Sequence, residues 1–248
     1  MTSDDLPFDL AGRVYAVTGV SAGIGEAVAR QLVAAGARVA GSARRTERLE
    51  ALAAELGDAF APVGGDVRDP ATAEALVAAA EQRLGGLSGI VPNAGVGRYG
   101  SIMDWSDDEL AEMVDVNVGG TLWPIRAAIP RLRARGGGDI VIVASVAGLR
   151  GGDDEAVYAA TKHAQVGLAG ALDRELHPEG IRVTAVCPGG VATEFAMGAG
   201  RTPDMPGLDA MLTADDVAHA VLTCLAQPRH VRTLQWVLRA QPEESWAT

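Results

Sequence analysis

The chain has 248 residues, of which 48% are apolar and 21% are charged, and it contains 31 glycines. This length and composition predict one globular domain over residues 1–248 and exclude a disordered, collagen-like or disulfide-scaffold protein. The 32 acidic and 21 basic residues give a net charge of -11, which would repel a nucleic-acid backbone and an anionic membrane surface. We therefore expect neither nucleic acid nor a membrane as a partner.

Cysteine usage and the first residues indicate the compartment. Cys187 and Cys224 are too few for a disulfide framework or a zinc site, and the four histidines show no metal-ligand spacing, so no metal is expected. The apolar stretches are shorter than the about 20 residues that span a bilayer. Asp4 and Asp5 stand where a secretory signal would carry positive charge, which predicts a cytoplasmic protein.

Strand and helix patterns alternate along the whole chain. Segments rich in β-branched residues and bounded by Gly, Pro or Asp predict buried strands at 14–18, 38–42, 59–63, 87–91, 139–144, 182–187 and 234–238. Apolar residues spaced by three and four predict helices at 23–35, 46–56, 70–84, 107–135, 157–176 and 215–226. This order predicts an α/β fold, a doubly wound Rossmann-type parallel sheet of about seven strands that binds ligands at the carboxyl ends of its strands.

Residues 189–212 interrupt this alternation. They show no sustained period and contain Gly198, Gly200, Pro203, Pro206 and Gly207. Loops of this length in compact domains are usually functional or disordered, so we predict a substrate lid, with a mobile surface excursion as the alternative.

A glycine-rich turn follows the first predicted strand. The segment Thr18-Gly-Val-Ser-Ala-Gly-Ile-Gly25 runs directly into a helix. Its glycines permit a tight turn and a close approach of backbone amides to a pyrophosphate, and the helix N-terminus adds partial positive charge. The turn therefore predicts a dinucleotide-binding βαβ unit.

The end of the second predicted strand indicates which dinucleotide binds. An acidic residue there would bind both ribose hydroxyls and repel a 2′-phosphate. The chain instead has Ala43, which leaves room, and Arg44 and Arg45, which can donate to phosphate oxygens. This favours NADP(H) over NAD(H), unless the two arginines only begin a solvated helix.

The only lysine of the chain is Lys162, four residues after Tyr158. On a helix these two side chains share a face. Lowering a tyrosine pKa from about 10 to near 7 requires roughly 4 kcal/mol. A cation about 4 Å away supplies about that much at an effective dielectric constant near 20. The pair thus predicts an activated tyrosine, whereas an isolated pair of this kind is also typical of an exposed helix face.

Together these motifs resemble the short-chain dehydrogenases/reductases, NAD(P)-dependent enzymes of this size and fold, over nearly the whole chain. The motifs that resemble the family's are the glycine turn at 18–25, Asp66-Val67, Asn93-Ala94-Gly95, and Pro188-Gly189 with Thr193. Ser145 precedes Tyr158 by the family's thirteen residues, and Asn117 occupies the position of the family's catalytic asparagine. The resemblance implies reversible hydride transfer between NADP(H) and a small-molecule carbonyl or alcohol substrate.

The resemblance also implies a role for each catalytic residue. Tyr158 would exchange a proton with the substrate oxygen, and Ser145 would donate a hydrogen bond to that oxygen. Lys162 would depress the tyrosine pKa and bind the ribose hydroxyls. The backbone carbonyl of Asn117 would hold a water that links Lys162 to solvent.

Two further sets of residues follow from the resemblance and from the strand ends. The predicted cofactor-binding residues are Gly19, Ser21, Ala22, Gly23, Ile24, Gly25, Arg44, Arg45, Asp66, Val67, Asn93, Ala94, Gly95, Tyr158, Lys162, Pro188, Gly189, Val191 and Thr193. The predicted substrate pocket consists of Val96, Ala147, Leu149, Gly190 and Phe195, with Gly97, Tyr99, Gly148, Asp153 and Met197 as further candidates. Arg98 and Arg150 are two possible anchors for a substrate carboxylate, although either could simply face solvent.

The predicted helices at 107–135 and 157–176 are apolar beyond one stripe. An additional apolar face predicts a homo-oligomer formed through these helices, a dimer or the tetramer common in the family. The apolar residues on more than one face are Ala127, Ala128, Ile129, Val166, Leu168, Ala169 and Leu172.

Pro92 stands where the usual family form has a second asparagine, which removes an amide donor near the adenosine. The chain also lacks a glycine-rich segment after its last strand, and its end is similar to the branch of bacterial serine dehydrogenase-like and clavulanate-pathway aldehyde reductases. Two alternatives remain open, an NAD-dependent alcohol dehydrogenase and a non-catalytic NADP(H)-binding regulatory protein. The latter would be free to lose Tyr158, Lys162 or Ser145, and the chain has all three.

Overall fold

A seven-stranded parallel sheet forms the centre of the computed structural model, which describes residues 9–243. Asp4 and Asp5 lie outside the described residues. The strands are β1 Val14–Thr18, β2 Arg38–Ala43, β3 Phe60–Gly64, β4 Gly89–Val91, β5 Gly138–Val143, β6 Ile181–Pro188 and β7 Gln235–Leu238. Their spatial order is β3-β2-β1-β4-β5-β6-β7, so the direction of winding reverses between β1 and β4. The predicted fold class is confirmed.

Both faces of the sheet are covered by helices. The helices are α1 Gly23–Ala34, α2 Thr46–Leu56, α3 Pro70–Leu84, α4 Asp107–Val114, α5 Gly120–Ala134, α6 Ala156–Leu176 and α7 Ala214–Ala226. Helices α1, α2 and α7 pack on one face, and α3, α5 and α6 pack on the other. Every residue of β1, β5 and β6 is therefore buried, which explains their continuous apolar sequences.

The helix predicted at 107–135 is not continuous. A π-helical turn at Asp115–Gly119 separates α4 from α5. Pro124 lacks the N–H group that an uninterrupted α-helix needs at that position. Gly120, just after the turn, lies against Val67, whose Cγ2 would be 2.7 Å from any Cβ added there. The interruption is functionally relevant because it contains Asn117, and such wide turns are frequent at functional sites.

Side-chain caps fix the starts of three helices. Asp69 accepts a hydrogen bond from Ala71 N at the start of α3. Ser106 and Thr213 form capping boxes with Glu109 and Asp216 at the starts of α4 and α7. No helix in residues 9–243 is long and apolar enough to cross a membrane.

The predicted lid at 189–212 has little regular structure. It contains one 3-10 turn, Leu208–Ala210, and two isolated bridges, Val191 to Leu212 and Met197 to Arg201. About half of its residues line a cleft at the carboxyl ends of the strands and form one wall of it.

Candidate active site

A cleft of about 1040 Å³ lies at the carboxyl ends of the strands, where the winding reverses. This is where doubly wound sheets bind their ligands, and the volume is large enough for a dinucleotide with a small substrate. The predicted cofactor-binding residues that line the cleft are Gly19, Ser21, Ala22, Gly23, Ile24, Arg44, Arg45, Asp66, Val67, Asn93, Ala94, Gly95, Tyr158, Lys162, Pro188, Gly189, Val191 and Thr193. Gly25 is the exception, because it lies beneath the turn, where an added Cβ would be 2.4 Å from both Gly19 O and Asn93 Nδ2.

The glycine turn has the conformation that phosphate binding requires. Gly19 has a φ of 76°, and a Cβ there would lie 2.9 Å from Ala94 Cα. The N-cap of α1, Ala22, has no side chain that could accept hydrogen bonds from the first amides of the helix. These N–H groups, together with the helix dipole, suit a diphosphate. The turn therefore fits a dinucleotide cofactor.

Arginines line the adenosine end of the cleft. Ala43 is buried and Arg44 is exposed, as expected for a space that accepts a 2′-phosphate. Arg45 donates to Ser21 Oγ at 3.1 Å. Arg45 and Arg48 also pair with Glu194 of the lid, at 2.8 and 2.9 Å. The sequence analysis missed Arg48 and Glu194, because only the path of the lid brings Glu194 to α2.

Tyr158, Lys162 and Ser145 lie together at the floor of the cleft. They are 6%, 4% and 7% exposed, so an exposed helix pair is the wrong interpretation of the tyrosine and the lysine. Lys162 Nζ lies 5.7 Å from the centroid of the Tyr158 ring and donates to Val143 O at 3.3 Å. Ser145 comes directly after the residue that follows β5, and its Oγ accepts a hydrogen bond from Ala147 N at 3.1 Å.

Burial dominates the pKa values of this group. Loss of hydration raises the pKa of Tyr158, although its hydrogen bond with Ser145 opposes that shift. The same effect lowers the pKa of Lys162 to about 8. In the folded chain itself, burial outweighs the charges around the phenol, and the lowering of the tyrosine pKa by Lys162 stays a prediction. A protonated Tyr158 is suited to donate a proton.

Asn117 is fully buried behind the cleft. Its side chain accepts from Val96 N at 2.8 Å and donates to Thr161 Oγ1 at 2.9 Å. Its backbone carbonyl accepts hydrogen bonds from Gln165 Nε2 at 2.9 Å and from Thr121 Oγ1 at 2.7 Å. These two donors contact the carbonyl that was expected to bind a water, and the water stays a prediction. Asn117 connects the loop after β4 to α6.

The substrate end of the cleft is aromatic. Val96, Ala147, Gly190 and Phe195 line it as predicted. The rings of Tyr99 and Phe195 flank Tyr158, with centroids 5.6 and 5.7 Å from its ring centroid. Leu149 was wrongly placed in this pocket. The 3-10 turn Val146–Gly148 directs the chain away from the cleft, and Leu149 packs against the apolar core instead.

Of the two candidate carboxylate anchors, Arg98 is already neutralised. Its guanidinium pairs with Glu112 at 2.7 Å and with Glu109 at 3.4 Å, and it stacks over Trp105. Arg150 lines the cleft, and so does Arg201 of the lid, which the sequence analysis did not single out. Residues 9–243 contain no group of three or more His, Cys, Asp or Glu that could hold a metal ion.

The fold and this cleft define a nicotinamide-dependent oxidoreductase, and comparison with known proteins establishes the family. A model of the short-chain dehydrogenase family matches residues 13–204, so the chain belongs to the short-chain dehydrogenases/reductases. The chain is 35% identical, over 93% of its length and 98% of the relative's, to an oxidoreductase of Staphylococcus aureus strain MW2. It is thus an oxidoreductase of the class that acts on CH–OH and C=O groups.

Solved structures show the same architecture. The closed form of serine dehydrogenase complexed with NADP+ has a TM-score of 0.88 and 29% identity, covering 95% of this chain and 98% of that one. The 3-ketoacyl-(acyl-carrier-protein) reductase of Brucella melitensis, complexed with NADH, has a TM-score of 0.86 and 30% identity, covering 94% of this chain and 99% of that one. Dinucleotides with and without the 2′-phosphate therefore occur among its structural relatives.

Proposed function

We propose that this enzyme interconverts a ketone or aldehyde and the corresponding alcohol with NADP(H), using Tyr158, Ser145 and Lys162 as catalytic residues. The observation that carries the proposal is the convergence of these three buried side chains at the end of a cleft that fits a dinucleotide. Asn117 has the role of a positioning residue in this proposal. Its side chain forms hydrogen bonds with Val96 N and with Thr161 Oγ1 of α6, and none with Tyr158, Ser145 or Lys162.

In the direction of reduction, Tyr158 donates its hydroxyl proton to the carbonyl oxygen. Its raised pKa keeps that proton in place near neutral pH until charge develops on the substrate oxygen. Ser145 Oγ stabilises the same oxygen by hydrogen bonding. The charge of Lys162 stabilises the tyrosinate that remains, and its ammonium can hold the ribose hydroxyls. The bound nicotinamide supplies the hydride.

The preference for NADP(H) rests on the residues at the end of β2. No carboxylate stands there, Ala43 leaves space, and Arg44 is exposed on the cleft wall. A guanidinium binds phosphate oxygens through charge-assisted hydrogen bonds. The bound NADP+ of serine dehydrogenase agrees with this choice.

Tyr158→Phe tests the proposal, with Tyr15→Phe as the matched control. Tyr15 is buried in the core and does not line the cleft, so we expect its hydroxyl to have no part in turnover. On a panel of ketones and aldehydes followed by NADPH absorbance, we expect Tyr158→Phe to lower kcat by about a thousandfold, within the usual contribution of general acid catalysis. The Kd for NADPH should change by less than about threefold, because the hydroxyl acts on the substrate. NADPH binding without any turnover by the wild-type enzyme would favour the regulatory alternative instead.

A further inference from the structure

Arg201 places a positive charge beside the proposed proton donor. Its Cζ lies 5.6 Å from the centroid of the Tyr99 ring and 6.0 Å from that of Phe195, the two rings that flank Tyr158. The charge of Arg201 also acts electrostatically on Tyr158 itself. A guanidinium at this position faces the space that a substrate must enter to reach Tyr158.

The charge of Arg201 is not neutralised within the part of the chain that the structure describes. Its Nη1 donates to Val191 O at 3.0 Å, and no carboxylate of residues 9–243 forms an ion pair with it. Two other arginines of the cleft wall do have such partners, as Arg98 pairs with Glu112 and Arg45 with Glu194. The guanidinium also forms a hydrogen bond with the side chain of Tyr99. Because arginine has five N–H groups, these two contacts leave it donors that a planar anion can use.

Glu155 is the acidic residue of the cleft wall whose charge acts on both Tyr158 and Tyr99. It accepts a hydrogen bond from Gly152 N at 2.6 Å, in the loop before α6. Its charge acts on Tyr158 and Tyr99 without pairing with Arg201. Glu155 therefore does not neutralise Arg201, and the positive charge of Arg201 can still attract an incoming anion.

The lid holds Arg201 in place through its backbone. Arg201 N donates to Ala196 O at 3.1 Å, and Gly198 N donates to Arg201 O at 2.9 Å. The adjacent Gly200 packs so tightly on Tyr99 that an added Cβ would lie 2.5 Å from the tyrosine Cβ. Tyr99 N also donates to Ala199 O at 3.0 Å. These contacts hold the backbone of Arg201, and the hydrogen bond from Nη1 to Val191 O anchors the guanidinium. The side chain therefore has less freedom to lose when it binds a ligand.

We propose that Arg201 binds a carboxylate of the substrate, so that the enzyme reduces oxo acids and oxidises hydroxy acids. This inference rests on the proposed function and adds the substrate class to it. In the reduction, hydride passes from NADPH to the carbonyl carbon and the Tyr158 proton passes to the oxygen, which yields a hydroxy acid and NADP+. Arginine suits this role because its fork matches a carboxylate in geometry and charge.

The test compares each oxo acid with its methyl ester, which has the same carbonyl but no charge. We would measure kcat/KM for the 2-oxo, 3-oxo and 4-oxo acids of four or five carbons and for their esters. The wild-type enzyme should prefer at least one acid over its ester by more than about tenfold. Arg201→Met should lower kcat/KM for that acid by more than about tenfold and for the ester by less than about threefold, so that the preference disappears.

One further variant separates the charge of Arg201 from the geometry of its guanidinium, and another is a control outside the cleft. Arg201→Lys keeps the charge without the fork and should retain an intermediate preference for the acid. Arg133→Gln removes an exposed arginine outside the cleft and should leave both substrates unchanged. Equal kcat/KM for acid and ester in the wild-type enzyme, or equal losses in Arg201→Met, would overturn the proposal. A failure of the proposed function looks different, because no neutral carbonyl would then be reduced and Tyr158→Phe would behave like the wild-type enzyme.

Discussion

The charge of Lys162 is needed for the proposed reaction, but burying that charge costs stability. It lies on the buried face of α6, and the loss of hydration lowers its pKa from 10.5 to about 8. The unfolded chain therefore binds more protons than the folded chain between these two pH values. The contribution of Lys162 to the free energy of unfolding therefore rises with pH between about 8 and 10.5. At pH 7 the ammonium is charged in both states, so the full cost of burying it destabilises the folded chain.

Replacing this lysine should therefore separate stability from activity. We expect Lys162→Met to increase the free energy of unfolding by roughly 2 kcal/mol at pH 7, because a buried charge is removed, while kcat is almost lost. Lys162→Arg keeps the charge, so it should gain no stability, and its larger planar head should also lower kcat by more than tenfold. Urea unfolding at pH 7 and pH 11 and NADPH turnover provide the measurements. A Met variant that is less stable at pH 7, or an Arg variant with more than about a tenth of wild-type kcat, would contradict this explanation.

The catalytic group shows what a sequence pattern can and cannot predict about single residues. The spacing of Tyr158 and Lys162 was sufficient to predict that they share a face, because they are four residues apart along a helix. Ser145 was added only through the resemblance to the family. The sign of the tyrosine pKa shift was not predictable, since it depends on how completely the surrounding chain excludes water. Likewise, the donors to the Asn117 carbonyl include Gln165, which is 48 residues away in sequence.

At the scale of elements, the junction of β2 and α2 carries the proposed cofactor preference. Ala43 is the last residue of β2, and the arginines that follow are brought beside the glycine turn by the parallel pairing of β1 with β2. The sequence pattern predicted this junction because the end of β2 and the arginines that follow it are adjacent in sequence. The pairing of Glu194 with Arg45 and Arg48 depends on the tertiary path of the lid, which no local pattern encodes.

Replacing Ala43 by Asp and Arg44 by Gln should change the cofactor preference. The new carboxylate would bind the ribose hydroxyls and repel a 2′-phosphate, and the lost guanidinium bonds are worth about 1.5–3 kcal/mol each. We expect kcat/KM for NADPH to fall by more than about tenfold while kcat/KM for NADH rises. Steady-state kinetics at limiting cofactor give both values, with thermal unfolding as the check on folding. If the wild-type enzyme already turns over faster with NADH, the preference for NADP(H) is wrong.

For the molecule as a whole, alternation of strand and helix predicted the sheet, and each observed strand lies within two residues of its predicted position. The sequence did not predict the break at Asp115–Gly119, because apolar spacing continues across it and a π-helical turn changes the phase by only one residue. The extent of one domain over residues 1–248 stays a prediction, as does the assembly of the enzyme.

The solvent-exposed face of α6 supports the predicted homo-oligomer. Most of the apolar residues that first indicated an additional face, such as Ala169 and Leu172, are buried in the core. Apart from His163, Arg174 and Glu175, the exposed residues of α6 are alanines and glycines. Nothing lies within 4 Å of a Cβ added at Gly167 or Gly170. Small residues on an open helix face permit close packing of a second helix, and the exposed Val114 of α4 adds apolar surface.

We therefore expect a homo-oligomer that packs α6 of one protomer against a second copy, and Gly170→Arg should disrupt it. The variant should still fold, because the position is open and arginine has a higher helix propensity than glycine by nearly 1 kcal/mol. Light scattering after size-exclusion chromatography should give a multiple of 25.5 kDa for the wild-type enzyme and a smaller mass for the variant. Ala75→Arg, at an exposed position of α3 on another part of the surface, serves as the control and should keep the wild-type mass. A wild-type mass of 25.5 kDa at micromolar concentration would refute the assembly, and an unchanged mass for Gly170→Arg would place the interface on a different surface.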